Sequence, residues 1–271
     1  MSSIVTPASE RSTTWERVRY WLPAVVVFAL GIATWQWVLP DLMHVEAFVL
    51  PRFSDVMDAL WVERAQLARG AWITFKEAIG GLVIGSSVAF LSALMLARWR
   101  PFGDAMMPYM IAANAIPIIA FAPITNAWFG LLSPWSKITI AAVLCYFPVM
   151  VNSLRGLTSV NPESIELMRS YAAGDAATFR RVRIPSSLPF VFTALKVACV
   201  LAMIGAVVGD YFGGSTESLG VVILSSVALS HYEIAWAAIL MASLLGMSLY
   251  ASISLIERYA LSWHPSVKRR G

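Results

Sequence analysis

Charged residues are scarce in this sequence. Asp, Glu, Lys and Arg make up 13% of the 271 residues, while 58% are hydrophobic; an average soluble domain carries roughly 25% charged residues. This balance excludes a soluble enzyme. Cysteine is also rare, and because Cys145 and Cys199 both lie inside apolar runs, a disulfide framework is not expected.

Residues for catalysis and nucleotide binding are few as well. The three histidines are far apart, and no H-E-x-x-H or G-x-S-x-G pattern is present. The phosphate-binding pattern G-x-x-x-x-G-K-[ST] is also missing. We therefore expect a non-catalytic chain without a cofactor or metal of its own. The net charge of +4 does not indicate a nucleic-acid partner, because the basic residues form short clusters between long uncharged runs.

Long apolar runs, in contrast, are abundant. About 20 apolar residues of helix span a bilayer, and six runs approach that length. They predict an all-α polytopic membrane protein with one transmembrane domain, 19–264, between an N-terminal segment, 1–18, and a basic tail, 265–271. The six predicted spans are about 21–40, 76–97, 105–130, 138–154, 187–209 and 234–256.

Positive charge predicts the orientation of these spans. Most of the 20 Lys and Arg residues fall on one side if the N-terminus is cytoplasmic, which is the pattern of membrane proteins. The first run follows Arg11, Arg17 and Arg19, has full spanning length and lacks a cleavage site, so we expect an uncleaved anchor. The expected location is the cell or inner membrane, with multiple passes and both termini in the cytoplasm.

The third run contains several prolines, among them Pro117 and Pro123, which must kink or break a helix. Broken helices inside a membrane often border a cavity, and polar residues share this run. The alternative is that these residues only bond to neighbouring helices. The substrate-path candidates are Asn114, Pro117, Thr125, Asn126 and, at the end of the fifth span, Asp210.

The segment between the first two spans, 41–70, is too long for a plain turn. Ser54 is expected to cap an amphipathic helix that follows Pro51. A helix on the membrane surface and an ordinary solvated helix both fit this pattern.

The most charged stretch is the loop 155–186. Asn161 is expected to cap a helix with Pro162 in its first position and Glu163 near its positive end. This helix is expected to end around Gly174, and Asp175 to cap a second short helix that stops before Pro185. Two short helices with a tight joint suggest a docking surface.

This loop resembles the coupling loop of permease subunits from ATP-binding-cassette importers. The family pattern is E-A-A, three residues, G, nine residues, I-x-L-P. Here Glu166-Leu167-Met168, Ala172 and Ile184-Pro185 fall at matching spacing, although Leu167 and Met168 replace two alanines and Ala172 replaces the glycine. Further landmarks, such as Phe147-Pro148 and 195–198, are similar to the branch that moves nitrate, sulfonates, taurine, riboflavin or pyrimidine precursors of thiamine.

The resemblance implies a type I importer permease that works with two copies of a cytoplasmic ATPase and with an extracytoplasmic substrate-binding protein. ATP would bind to the ATPase. A homodimer is implied as well, with small residues of the sixth span as one possible contact and packing within one subunit as the alternative. The residues implied to contact the ATPase are Glu163, Glu166, Arg169, Ala172, Ala173, Gly174, Asp175, Phe179 and Pro185.

The alternative function is an ion-coupled carrier. It rests on four charged residues near span ends, Lys76, Glu77, Lys196 and Asp210. Lys196 is expected to snorkel to the interface and the others to stay hydrated. Carboxylates in the middle of the bilayer would be more typical of a proton relay, so the ATP-driven importer is preferred.

Overall fold

The computed structural model describes residues 14–42, 50–113 and 117–262, and every regular element in these ranges is a helix. Asn114, the tail 265–271 and most of the segment 1–18 lie outside the described residues. The helices are α1 (Thr14–Ala33, continued by a π-helical segment, Thr34–Leu42), α2 (Phe53–Val62), α3 (Arg64–Arg98), α4 (Arg100–Ala113), α5 (Ala122–Phe129), α6 (Pro134–Thr158), α7 (Pro162–Ser170), α8 (Asp175–Thr178), α9 (Ile184–Tyr211), α10 (Leu219–Ala228) and α11 (Tyr232–Ala260).

Four helical runs within the described ranges are long and apolar enough to cross a membrane. They are α3, α6, the run Asp175–Tyr211 and α11. Two shorter apolar stretches, Leu22–Val38 and Leu219–Ala228, lie in α1 and α10. The all-α membrane fold predicted above is therefore confirmed, while the count of six spans stays a prediction.

The third predicted span is not one helix. Helix α4 ends at Ala113, and after Pro117 a short 3-10 turn leads into α5, which has Pro123 in its first turn. Proline has no backbone N–H to continue a helix and tolerates the first turn best. The prolines thus divide this run into separate short helices.

Helix α2 begins at Phe53, so the expectation that Ser54 would cap it is wrong. Ser54 is bound to α1 instead, because its backbone N–H donates to Gln36 Oε1 at 3.0 Å and its hydroxyl accepts from Gln36 Nε2 at 3.1 Å. Trp35 Nε1 also donates to the carbonyl of Pro51 at 2.9 Å. The segment between the first two spans is therefore fastened to the first helix.

Helix α6 forms the centre of the fold, between α3 and α9. A β-carbon added at Gly81 or Gly85 of α3 would overlap Ala141 or Ala142 of α6, and one added at Gly205 of α9 would overlap Ala141 from the other side. Small residues let the helix backbones approach closely, and van der Waals contact then holds them together in lipid. This packing sets the relative position of the two ends of the membrane helices.

The spans end in two groups, one at each membrane face. Arg98 of α3, Thr158 of α6 and Ile184 of α9 end or begin their helices near the charged loop, and we call this the hairpin face. The other ends form the opposite face. Between the faces, Lys196 Nζ lies 2.8 Å from Glu257 Oε2, so it pairs α9 with α11 and does not snorkel alone as expected.

Candidate functional site

The charged loop folds into a helical hairpin at residues 162–183, which we call the coupling hairpin. Its first helix, α7, starts as predicted: Asn161 Oδ1 accepts a hydrogen bond from Glu163 N–H at 3.2 Å, and Pro162 occupies the first turn. The Glu163 carboxylate lies in the same turn, where it favours the positive end of the helix dipole. The local sequence therefore determines where the hairpin begins.

The first helix ends four residues before Gly174, contrary to expectation. It ends at Ser170, and Ala172 adopts the left-handed conformation with φ 54°. Ala172 N–H donates to the Arg169 carbonyl at 2.9 Å and Ala173 N–H to the Met168 carbonyl at 3.0 Å. These two bonds form a Schellman ending, in which glycine usually takes the left-handed place.

This geometry gives a physical reason for glycine in the family pattern. Ala172 stands at the pattern's glycine position, and it is the residue with positive φ. Gly174 has φ −67° and ψ 164°, an extended conformation open to any residue, and a β-carbon there would meet nothing within 4 Å. The tight joint of the hairpin is therefore at Ala172.

The second helix of the hairpin is not capped by Asp175 and does not stop before Pro185, contrary to both expectations. Helix α8 starts at Asp175 with Gly174 as its N-cap, passes into a π-helical segment, Phe179–Arg183, and continues as α9. Pro185 lies in the first turn of α9, where proline is tolerated. One helical run, Asp175–Tyr211, thus leads from the hairpin across the span.

Two exposed apolar side chains lie on the surface of α7 that the rest of the chain does not cover. Leu167 and Tyr171 are 57% and 76% exposed and lie four residues apart, so they share one face of the helix. Sequence reasoning missed both as functional candidates; the signal was their spacing in a helix otherwise rich in charge. The predicted contact residues Glu163, Glu166 and Arg169 are exposed around them.

Some of the other predicted contact residues attach the coupling hairpin to the rest of the chain. Phe179 is half-buried and packs against the hydrophobic core, and the Arg183 guanidinium lies 5.8 Å from the centre of its ring. Thr178, next to it, is buried. Asp175 is exposed, whereas Ala173 and Pro185 are half-buried. The structure thus brings the predicted residues into the coupling hairpin, except for Pro185 in the first turn of α9, and their contact with an ATPase stays a prediction.

A buried polar cluster lies at the opposite face and consists of Thr74, Glu77, Lys137 and Asp210. Asp210 is only 1% exposed, and its Oδ2 accepts from Thr74 Oγ1 at 3.0 Å and from Gly220 N–H at 3.4 Å. It therefore lies against the N-terminus of α10, where a negative charge is favourable. Sequence reasoning expected a hydrated carboxylate here.

Lys137 supplies the positive charge of this cluster and is completely buried. Its ammonium donates to the carbonyls of Leu131, Ser133 and Gly213, so it joins the loop before α6 to the loop after α9. Glu77, which is 5% exposed, is attracted by Lys137 and repelled by Asp210. Lys137 is therefore the compensating charge of this cluster, and such compensation is needed because removal of charges from water is costly.

The substrate-path candidates fall in different surroundings. Pro117 is exposed, while Thr125 is buried and donates to the Ala122 carbonyl at 3.0 Å within its own helix. Asn126 Nδ2 donates to the Phe212 carbonyl at 2.8 Å and so lies close in space to the end of α9. Asn114 lies outside the described residues. A role in the path stays a prediction for all of them.

The family model described as "Binding-protein-dependent transport system inner membrane component" matches residues 81–260. The chain belongs to this family. A formylaminopyrimidine transport permease protein of Halalkalibacterium halodurans is 35% identical over 68% of this chain and 72% of its own length. A riboflavin transport system permease protein of Chloroflexus aurantiacus is 29% identical over 81% of this chain and 82% of its own length.

Two further comparisons cover nearly the whole length of the other protein. A probable ABC transporter permease protein of Haemophilus influenzae is 29% identical over 91% of this permease and 99% of its own length. A crystal structure described as an amino acid ABC transporter with histidines superposes with a TM-score of 0.59 at 18% identity, and covers 74% of this permease and 96% of that chain. At this identity the structural likeness establishes the fold alone.

Proposed function

We propose that this permease forms the path for a small organic or anionic solute in an ATP-driven importer, and that a separate ATPase drives it through the coupling hairpin. The observation that carries the proposal is the continuous helical run from Asp175 to Tyr211, in which α8 passes through a π-helical segment into α9. A helix transmits displacement along its axis because successive turns are joined by backbone hydrogen bonds. A push on the hairpin would therefore move a membrane span.

The docking surface has the composition of a transient protein interface. Leu167 and Tyr171 offer exposed apolar anchors, and charged side chains surround them. Buried aromatic and aliphatic anchors supply most of the energy at such interfaces, while polar groups at the rim supply specificity. We expect the ATPase to bury Leu167 and Tyr171, with Glu163, Glu166 and Arg169 at the rim.

The substrate class is proposed from relatives. Three relatives are described as transport permeases for formylaminopyrimidine, for riboflavin and for aliphatic sulfonates. The third is a Bacillus subtilis protein that is 24% identical to this chain. A binding protein would deliver the solute, as the family description implies. Identification of the ligand that co-purifies with that binding protein would decide among these classes.

A homodimer is proposed for the same assembly. In α11, Ser243 and Ser248 are exposed, whereas Ala242 and Gly246 are buried and Gly246 faces Met203 of α9. One side of α11 thus packs within the chain and the other is free for a second copy. Crosslinking in the membrane through cysteines placed at Ser243 and Ser248 tests this, and recovery of uncrosslinked chains only would contradict it.

The coupling proposal is tested with Leu167→Asp combined with Tyr171→Ala. Both changes remove apolar surface from the docking face, so ATPase co-purification and ATP-driven uptake should fall together. Leu132→Asp is the matched control, because Leu132 is similarly exposed but belongs to the loop at the opposite face. Unchanged uptake in the double variant, or uptake that continues on an ion gradient with a disabled ATPase, would favour the ion-coupled carrier instead.

A further inference from the structure

A cavity of about 370 Å³ lies between the coupling hairpin and the end of α3. Four arginines line it, and Asp175 is the acidic residue among its lining residues. The four are Arg98, Arg169, Arg180 and Arg183. Within the described part of the chain, none of these arginines has a carboxylate within ion-pair distance. The cavity therefore has a marked excess of positive charge.

The cavity lies at the level of lipid headgroups. The 20 residues from Ala78 to Ala97 carry no charge, and a helix of about that length matches the hydrocarbon thickness of a bilayer. Arg98 follows directly, and the exposed Trp99 comes next, as expected for an aromatic residue at the interface. The arginines from the hairpin are thus collected around the point where α3 leaves the apolar layer.

One arginine is fixed in place and the others are free to bind. Arg183 Nη1 donates to the Ala97 carbonyl at 3.4 Å and its guanidinium lies over the Phe179 ring. Arg98, Arg169 and Arg180 are exposed. Guanidinium groups match phosphate oxygens with paired hydrogen bonds. The chemistry favours a phosphate as the occupant.

The cavity shares Arg169 with the rim of the proposed docking surface of α7, but not the apolar anchors of that surface. Ile165 and Arg169 line it, whereas Leu167 and Tyr171 do not. Residues two positions apart on a helix point in very different directions, so α7 presents one face to the cavity and another to a protein partner. We propose that the cavity binds the phosphate of an anionic phospholipid, as basic pockets between spans do elsewhere.

The test compares lipid retention by the full-length permease from vesicles of phosphatidylglycerol and phosphatidylcholine, measured by native mass spectrometry. Arg98→Gln combined with Arg180→Gln should lower the preference for phosphatidylglycerol on the order of tenfold. Arg155→Gln combined with Arg181→Gln is the control: it removes the same charge from exposed positions that do not line the cavity. An equal loss in the control, or no loss in the cavity variant, would overturn the proposal.

A second measurement uses the unmodified protein and so does not depend on the variants folding. Phosphatidylglycerol should protect Arg98 and Arg180 from an arginine-specific reagent, and leave Arg155 and Arg181 as reactive as in phosphatidylcholine. Equal protection of all four would show only a general surface effect. Displacement of the lipid by inorganic phosphate or by the ATPase would assign the cavity to a soluble anion or to a protein partner, and would overturn the lipid assignment.

Discussion

Thr74 Oγ1 donates a hydrogen bond to Asp210 Oδ2 at 3.0 Å and thereby joins two membrane helices at the opposite face. The same Thr74 oxygen accepts from Leu219 N–H at 3.1 Å, so it also holds the first turn of α10. All three groups are buried. A single hydroxyl therefore links α3, α9 and α10 in a region closed to water.

Replacement of Thr74 by Val should destabilise the permease by about 1–3 kcal/mol, because a buried carboxylate oxygen and a backbone N–H each lose a partner. Thermal unfolding of the purified chain in detergent measures this. Thr139→Val is the control, since Thr139 is half-buried and its hydroxyl donates to the Trp135 carbonyl of its own helix at 2.8 Å. Similar effects of both substitutions would contradict the special position of Thr74.

Lys137→Met should lower the stability of the permease far more than Lys76→Met does. It removes the donor to three loop carbonyls and leaves Glu77 and Asp210 without their buried cation, a change that costs about 3–5 kcal/mol. Lys76→Met should cost little, because Lys76 is exposed and lies over the Trp72 ring. Yield and unfolding temperature of the two variants give the comparison, and equal values would show that Lys137 is not compensating the cluster.

Ala172→Gly should stabilise the coupling hairpin by about 1 kcal/mol, because glycine adopts the left-handed conformation without the steric cost of a β-carbon. Ala172→Val should have the opposite effect. Hydrogen exchange of the amides of Ala172 and Ala173 reports on the joint directly. Gly174→Ala should leave exchange unchanged, since Gly174 has an ordinary backbone conformation; a large effect there would move the joint away from Ala172.

Gly85→Ala should destabilise the contact between α3 and α6, because the new methyl group would overlap the backbone of Ala142. Overpacking of this kind costs about 1–3 kcal/mol. Gly31→Ala is the matched control, as a β-carbon at Gly31 meets nothing within 4 Å. The check is the unfolding temperature of each variant, and a loss at Gly31 as large as at Gly85 would argue against close helix packing as the cause.

Lys196 and Glu257 should show energetic coupling in a double-mutant cycle. The single changes Lys196→Met and Glu257→Gln each leave a partly buried charge without its partner, so the two together should cost less than the sum of the singles by about 0.5–3 kcal/mol. Free energies of unfolding for the four proteins supply the cycle. Simple additivity would mean that the 2.8 Å contact contributes nothing to the association of α9 with α11.

The sequence predicted elements whose signals are local. The start of α7 followed from Asn161, Pro162 and Glu163, because capping depends on three or four neighbouring residues. The long apolar helices followed from hydrophobicity and length. The family assignment came from the spacing of the loop pattern together with landmarks along the chain.

The remaining features depend on contacts between distant segments. Lys137 falls between the third and fourth predicted spans, and its burial depends on carbonyls of residues as distant as Gly213. The end of α7 was misplaced because Gly174 is the better glycine signal, although the left-handed residue is Ala172. The exposure of Leu167 and Tyr171, on which their proposed docking role rests, depends on which face of α7 the rest of the chain covers, and periodicity alone does not fix this.

The helical run Asp175–Tyr211 has 37 residues, which corresponds to a rod about 55 Å long. Asp175 stands at one tip of this rod and Asp210 almost at the other. The run consists of α8, the π-helical segment and α9, which has Pro189 in its interior. If the proposed push on the coupling hairpin tilts this run as one body, the buried cluster around Asp210 at the opposite face must move with it.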